Sequence, residues 1–174
     1  KEKLILAQHA KQFAVTDLGL EPTQNYQTYV ELNRPYVTWI VRAAQVDKLE
    51  AYTWWFPIVG SVPYKGYFNK QDALKEANGF DSNKFDTYVR GVSAYSTLGW
   101  FDDPLLSSMM DYDKHDLVEL IIHESVHASL YIKSNADFNE RLATFIGREG
   151  AKRYYLKTEG KTSKTYKLIE QESL

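Results

Sequence analysis

Apolar positions recur at helical spacing between Lys3 and about Asp17, where Leu6, Ala10, Phe13 and Ala14 share a face before Leu18-Gly19 supplies a stop. The pattern predicts an amphipathic first helix, with His9 as a surface or packing residue on it. Glu21-Pro22 through Asn33 reads as a loop with a short helical turn near Tyr26 to Leu32. Strand-like runs follow. Tyr36 to Val41 and Tyr52 to Val59 are dense in β-branched and aromatic residues, and polar Gln45 to Glu50 connects them as an antiparallel pair. Pro57 makes the second run an edge strand or bends it. Gly60, Pro63 and Gly66 then punctuate a loop carrying Tyr64 and Tyr67.

Helical spacing returns from Asn69 to Asn78, closed by Gly79. Phe85 to Tyr95 is a third strand, running into Ser96-Thr97-Leu98-Gly99-Trp100-Phe101-Asp102-Asp103-Pro104, a loop too rich in hydroxyl, glycine and aromatic residues to continue it. From Asp113 or Asp116, either of which can cap a helix, to about Ile132, apolar residues cover almost the whole helical circumference: Val118, Leu120, Ile121, Ile122, Val126, Ala128, Leu130 and Ile132. This predicts a central, buried helix. A partner helix spans about Asp137 to Tyr155, and residues 160–174 form a polar tail. The elements give an α+β fold, a small antiparallel or mixed sheet packed on the buried helix and its partner, in one domain over 1–174.

Composition narrows the chemistry. A chain of 174 residues can bury about 70% of its unfolded surface without a staple. The net charge of −2, with scattered Lys and Arg, gives no basic face for nucleic acid. With no cysteine, any metal must be held by His, Asp or Glu. No apolar run reaches the length of a membrane span, and Lys1-Glu2-Lys3 does not open a signal peptide; the chain starts without Met, consistent with removal of an upstream segment. Aromatic residues make up 14%, with 13 tyrosines, enough for a well-filled core and an aromatic-lined cleft.

Within the buried helix stands His123-Glu124-Ser125-Val126-His127. Four residues turn through roughly 400° and rise about 6 Å, so the two imidazoles project from one face as a zinc clamp. Glu124 lies about 100° away, positioned as the general base for a water on the metal. A catalytic zinc usually takes three protein ligands. A third histidine in the spacing His-x-x-Gly-x-x-His is excluded, because Leu130 and Lys133 occupy the required positions. The other solution is a glutamate from the partner helix. Lys133-Ser134-Asn135-Ala136 is a short polar turn, and Glu140 follows in the first turn beyond it. Ala143, Thr144, Gly147 and Ala151 let that helix come close.

Glu119, one turn before His123, either orients a ligand or is solvated. Asp102-Asp103 are loop acids in preference to a site for a substrate amino group. Asp111-Tyr112-Asp113-Lys114-His115-Asp116 is not a calcium loop, because Asp116 and Ile122 stand where Gly and Glu are required.

The chain resembles a predicted aminopeptidase family of bacterial zinc metallopeptidases, a gluzincin group in which His-Glu-x-x-His is followed by Asn-Glu-x-x-Ala. The matching residues are His123 to His127, Asn139-Glu140-Arg141-Leu142-Ala143 and Gly147-Arg148-Glu149-Gly150. Phe56-Pro57-Ile58-Val59-Gly60, Pro63-Tyr64-Lys65-Gly66-Tyr67-Phe68 and Ala94 to Pro104 are similar as well. Ser125-Val126 in place of Leu-Ala, and Arg141, are mild departures. The resemblance covers nearly all the chain to about Leu156 and implies a zincin-like fold and a zinc-dependent peptidase.

In the expected mechanism one zinc ion sits on His123, His127 and Glu140, and Glu124 assists attack of the zinc-bound water on a peptide bond. Tyr95 is the first candidate to donate a hydrogen bond to the tetrahedral intermediate, with Tyr64, Tyr131, Tyr154 and Tyr155 as competitors. Ser96, Thr97 and Tyr64 are candidates to bind a peptide substrate, which the strand entering Tyr95 can also engage through its backbone edge. Members often carry a lipoprotein-type signal, so the resemblance implies a lipid anchor upstream and a cell-envelope or periplasmic location. Aminopeptidase action is expected; a zinc endopeptidase, another amide hydrolase, or a non-catalytic peptide-binding module stabilised by metal are the alternatives.

Overall fold

The computed structural model describes residues 2–48, 50–92 and 103–172. Among the described residues, five α-helices and small sheets make an α+β fold, and the chain divides into two compact units.

The helical unit comprises the described residues within 1–31, 96–131 and 137–174. Helix α1 (Glu2–Thr16) buries Ala7, Ala10, Phe13 and Ala14, the predicted face, and packs against α3 (Lys114–Ser129). His9 is exposed. No residue of α3 from Leu117 to Ser129 is exposed, as its apolar circumference predicts. Leu117, Val118, Ile121, Ile122 and Val126 are almost fully buried, each worth about 1.5–3 kcal/mol relative to exposure. Ser125 is buried too, and its hydroxyl donates to the Ile121 carbonyl at 2.7 Å, which makes this polar residue tolerable inside the helix. Helix α4 (Ala136–Thr158) carries Gly147 where a Cβ would lie 3.1 Å from the Glu119 carbonyl and 3.2 Å from His123 Cβ, so glycine permits the close approach of α4 to α3. Tyr154 meets Phe13 edge-on at 5.4 Å, tying α4 to α1.

Three expectations change here. The loop before residue 33 contains a two-residue strand, β1 (Tyr29–Val30), rather than a helical turn. It pairs in parallel with β7 (Leu105–Leu106), an association across the chain that local periodicity cannot register. Helix α3 ends at Ser129 instead of Ile132, because Leu130 takes extended geometry while its N–H still reaches the Val126 carbonyl. The polar tail contains a helix, α5 (Lys164–Glu172), held by buried Tyr166 and Ile169.

The sheet unit comprises the described residues within 32–95 together with 132–136. Its centre is β2 (Thr38–Gln45), antiparallel to β5 (Lys65–Tyr67) on one edge and to β6 (Phe85–Val92) on the other. Helix α2 (Lys70–Asn78) lies on this sheet with Ala73 and Ala77 buried against Val41, Ala43 and Trp54. It begins after Asn69, whose side chain caps it by accepting from Gln71 N–H, and, as predicted, stops at Gly79.

The predicted pairing of Tyr36 to Val41 with Tyr52 to Val59 does not form. Backbone pairing near these runs consists, among the described residues, of an isolated Ala44–Ala51 bridge and a Tyr52 N–H bond to the Ala43 carbonyl, because β5 pairs with Trp39 to Val41 on that edge. Instead, β3 (Trp54–Phe56) folds back on β4 (Gly60–Val62) in a hairpin turned at Pro57. The stretch expected to be a loop thus supplies both β4 and β5. In α2, the Glu76 carboxylate accepts hydrogen bonds from Trp54 Nε1 at 2.9 Å, Lys65 Nζ at 3.0 Å and Tyr67 Oη at 2.5 Å.

Candidate metal centre

The spacing of His123 and His127 on α3 brings their rings together, with centroids 4.8 Å apart and planes at 82°. Their Nε2 atoms lie 3.1 Å apart. Glu140, early in α4, directs its carboxylate at the same point: Oε2 lies 3.6 Å from His123 Nε2 and Oε1 3.5 Å from His127 Nε2. Among the described residues these three form the group that could hold a metal ion, with one ligand atom from each, all within 4.8 Å of one another. The His127 side chain is 4% exposed and that of Glu140 52%, so the cluster is walled by helix on one side and open to solvent on the other.

Electrostatics distinguish the two imidazoles. Burial works against charge on both. At His123 the carboxylates of Glu140, Glu124 and Glu119 outweigh burial and hold the imidazole above its ordinary value. His127 is held below its ordinary value by burial and the neighbouring His123, against the pull of Glu140. His127 Nδ1 is buried with no hydrogen-bond partner among the described residues. A neutral ring facing the cluster through Nε2 suits a metal ligand.

Glu124 is half-buried beside the histidines. Its charge also reaches Tyr26, whose phenol is pushed well above its ordinary value by burial, then by Glu124 and Asp103. Tyr26 was not a sequence candidate. It adopts a left-handed backbone (φ 61°) and donates its N–H to the Asp103 carbonyl at 2.6 Å. Asp103 is itself buried, and its backbone N–H is bonded to Asn25 Oδ1, so its backbone anchors a loop.

Glu119 pairs with Arg148 at 3.4 Å, and burial raises its carboxyl above the usual range. Both line a cavity of about 440 Å³ alongside His115, Asp116, His123 and Glu172. His115 contacts Asp116 and Glu172 at 3.3 and 3.8 Å.

Tyr131 is partly buried, its phenol raised by burial and by the charge of Glu140. Tyr154 and Tyr155 are buried and packed edge-on to one another at 5.2 Å. Tyr64 belongs to the sheet unit, between β4 and β5, while the three clustered residues belong to the helical unit. Tyr95, Ser96, Thr97 and Asp102 lie outside the described residues. No described helix is long and apolar enough to cross a membrane.

No curated protein and no solved structure matches the chain. A family model described as "Putative aminopeptidase" matches residues 1–173.

Proposed function

The chain belongs to this putative aminopeptidase family, and from that membership we propose that it is a zinc-dependent metallopeptidase with a zincin-like core, acting as an aminopeptidase. The observation that carries the proposal is the convergence of His123, His127 and Glu140 beside Glu124. Two imidazole nitrogens and a carboxylate oxygen are a donor set that zinc takes in catalytic sites. The separations of 3.1, 3.5 and 3.6 Å, the last two to different oxygens of Glu140, fit the roughly 3.3 Å expected between neighbouring ligands of a tetrahedral ion held at about 2.0–2.1 Å.

His123, His127 and Glu140 would hold the ion. Bound there, zinc supplies Lewis-acid chemistry, polarising the scissile carbonyl and acidifying the attacking water. Glu124 takes a proton from that water as its oxygen bonds to the carbonyl carbon. It then delivers the proton to the amine nitrogen as the C–N bond breaks. Tyr95 is the proposed donor to the oxygen that becomes negatively charged, with Tyr131 as the rival whose phenol feels Glu140. Ser96, Thr97 and Tyr64 are proposed to bind the peptide, and a cell-envelope or periplasmic location is proposed from the resemblance.

A peptide-library digest comparing wild type with Glu124→Gln tests the mechanism. Hydrolysis is expected to fall by at least about a thousandfold in the variant with zinc retained; equal cleavage by both proteins would remove Glu124 as base. In the same digest, N-terminally blocked peptides should survive. Their cleavage would reassign the enzyme as an endopeptidase.

A further inference from the structure

Within the helical unit, Gly147 of α4 stands against the turn of α3 that carries His123. A Cβ at Gly147 would lie 3.1 Å from the Glu119 carbonyl oxygen, 3.2 Å from His123 Cβ and 3.4 Å from Glu119 Cγ. In α3 that carbonyl is the helical acceptor for the N–H of His123, four residues on. The two nearest atoms are thus fixed to the backbone of α3, and no side-chain rotation takes either of them out of the way. Relief has to come from moving one helix against the other by a few tenths of an ångström. The next residue of α4 ties the same turn, since Arg148 Nε donates to Glu119 Oε1 at 3.4 Å. Gly150, three residues further along α4, is crowded in another way. A Cβ there would lie 2.9 Å from Leu18 Cδ1, 3.0 Å from Ile122 Cγ2 and 3.1 Å from Ile122 Cδ1, all side-chain methyls and none of them on a cluster residue.

We propose that Gly147 is a positioning residue for the metal centre: its missing side chain seats α4 directly on the His123 turn of α3 and so fixes the separation at which Glu140 meets the two imidazoles. The proposal rests on the metal reading of His123, His127 and Glu140. Glu140 lies seven residues before Gly147 on α4. That separation turns through roughly 700° and rises about 10 Å, so the two residues share one face of a rigid helix. A displacement forced at Gly147 is therefore carried along α4 to the carboxylate, which stands 3.6 and 3.5 Å from the His123 and His127 nitrogens. On α3 the push falls on His123 itself. Ligand positions about 0.5 Å out of place already weaken a site. Gly147 makes no bond to the ion; it acts through the two helices that carry the ligands.

The test is the affinity of the full chain for Zn²⁺, measured by competition with a chromogenic chelator, beside thermal melts of the metal-free proteins. Gly147→Ala should weaken zinc binding about tenfold, as loss of a supporting contact does in metal sites. The visible absorption bands of the Co²⁺-loaded variant should move from those of wild type, because they report the geometry of the ligands. Its metal-free melting temperature should stay within about 4 °C of wild type, since alanine is the better helix residue and offsets the crowding. Gly150→Ala is the control. It makes the same exchange in the same helix and meets closer atoms, but it presses on side-chain methyls. Its melting temperature should fall at least as far as that of Gly147→Ala, while zinc affinity stays within about twofold of wild type.

Equal loss of affinity in Gly147→Ala and Gly150→Ala would make the effect one of general packing and overturn the proposal. So would a Gly147→Ala chain that does not fold where Gly150→Ala does, because the glycine would then be a requirement of folding and not of metal geometry. Wild type that fails to bind zinc would refute the metal reading and the proposal with it, whereas tight wild-type binding that Gly147→Ala leaves intact sinks the positioning role alone.

Discussion

Two glutamates, Glu76 and Glu140, show how differently one side chain is used in the two units. Glu76 meets three donors at 2.5–3.0 Å, an indole N–H, an ammonium and a phenol, each supplying a hydrogen where the carboxylate has a lone pair. Burial alone would raise its carboxyl, but Tyr67, Trp54 and Lys65 together hold it below the usual range. Such a cluster is complete without a ligand. Glu140 faces two imidazole nitrogens at 3.5 and 3.6 Å, long for hydrogen bonds, and those nitrogens also face each other. One ligand atom from each of the three could together hold a metal ion, the reading proposed above, whereas the arrangement around Glu76 is structural.

The comparison sets the predictions. The largest effect belongs to His127, which is nearly inaccessible and faces the cluster: His127→Ala should abolish stoichiometric zinc retention after dialysis while leaving the far-ultraviolet circular dichroism spectrum intact. Retained zinc would dissolve the contrast. Glu76→Ala should do the reverse, lowering stability by about 2–3 kcal/mol in urea titrations, because it strands three partly buried donors, one of them charged. Its zinc content should equal that of wild type; loss of metal in Glu76→Ala would mean that the two clusters are not independent.

A smaller effect comes from pH. The folded-state pKa of Glu76 is depressed, so its contribution to stability is present above the ordinary carboxylate value and fades as pH falls through the lower folded value. Urea midpoints of wild type should therefore decline on acidification below about pH 5 more steeply than those of Glu76→Gln. Parallel curves would remove the assigned role of the three donors.

What the sequence discloses follows the range of the interaction. The helical clamp is local: His123 and His127 are four residues apart on a segment whose apolar circumference announces a buried helix. Glu140 was within reach for the same reason, because only a short polar turn separates its helix from theirs. The pairing of β2 was not legible, since its edges are taken by β5 and β6 from later in the chain, and the run from Tyr52 to Val59 looked like a partner although Pro57 turns it back on itself. The contact of Tyr26 with the charge of Glu124 spans 98 positions and leaves no periodic trace. Helix α5 was hidden because only Tyr166 and Ile169 are buried within an otherwise polar segment.

The most direct test of the account is the zinc content of the purified chain, by elemental analysis, for wild type and for Glu140→Ala prepared side by side in zinc-containing buffer and then dialysed. The account predicts about one zinc per wild-type chain and a small fraction of that in the variant. Equal zinc in the two proteins, or none in wild type, would contradict it.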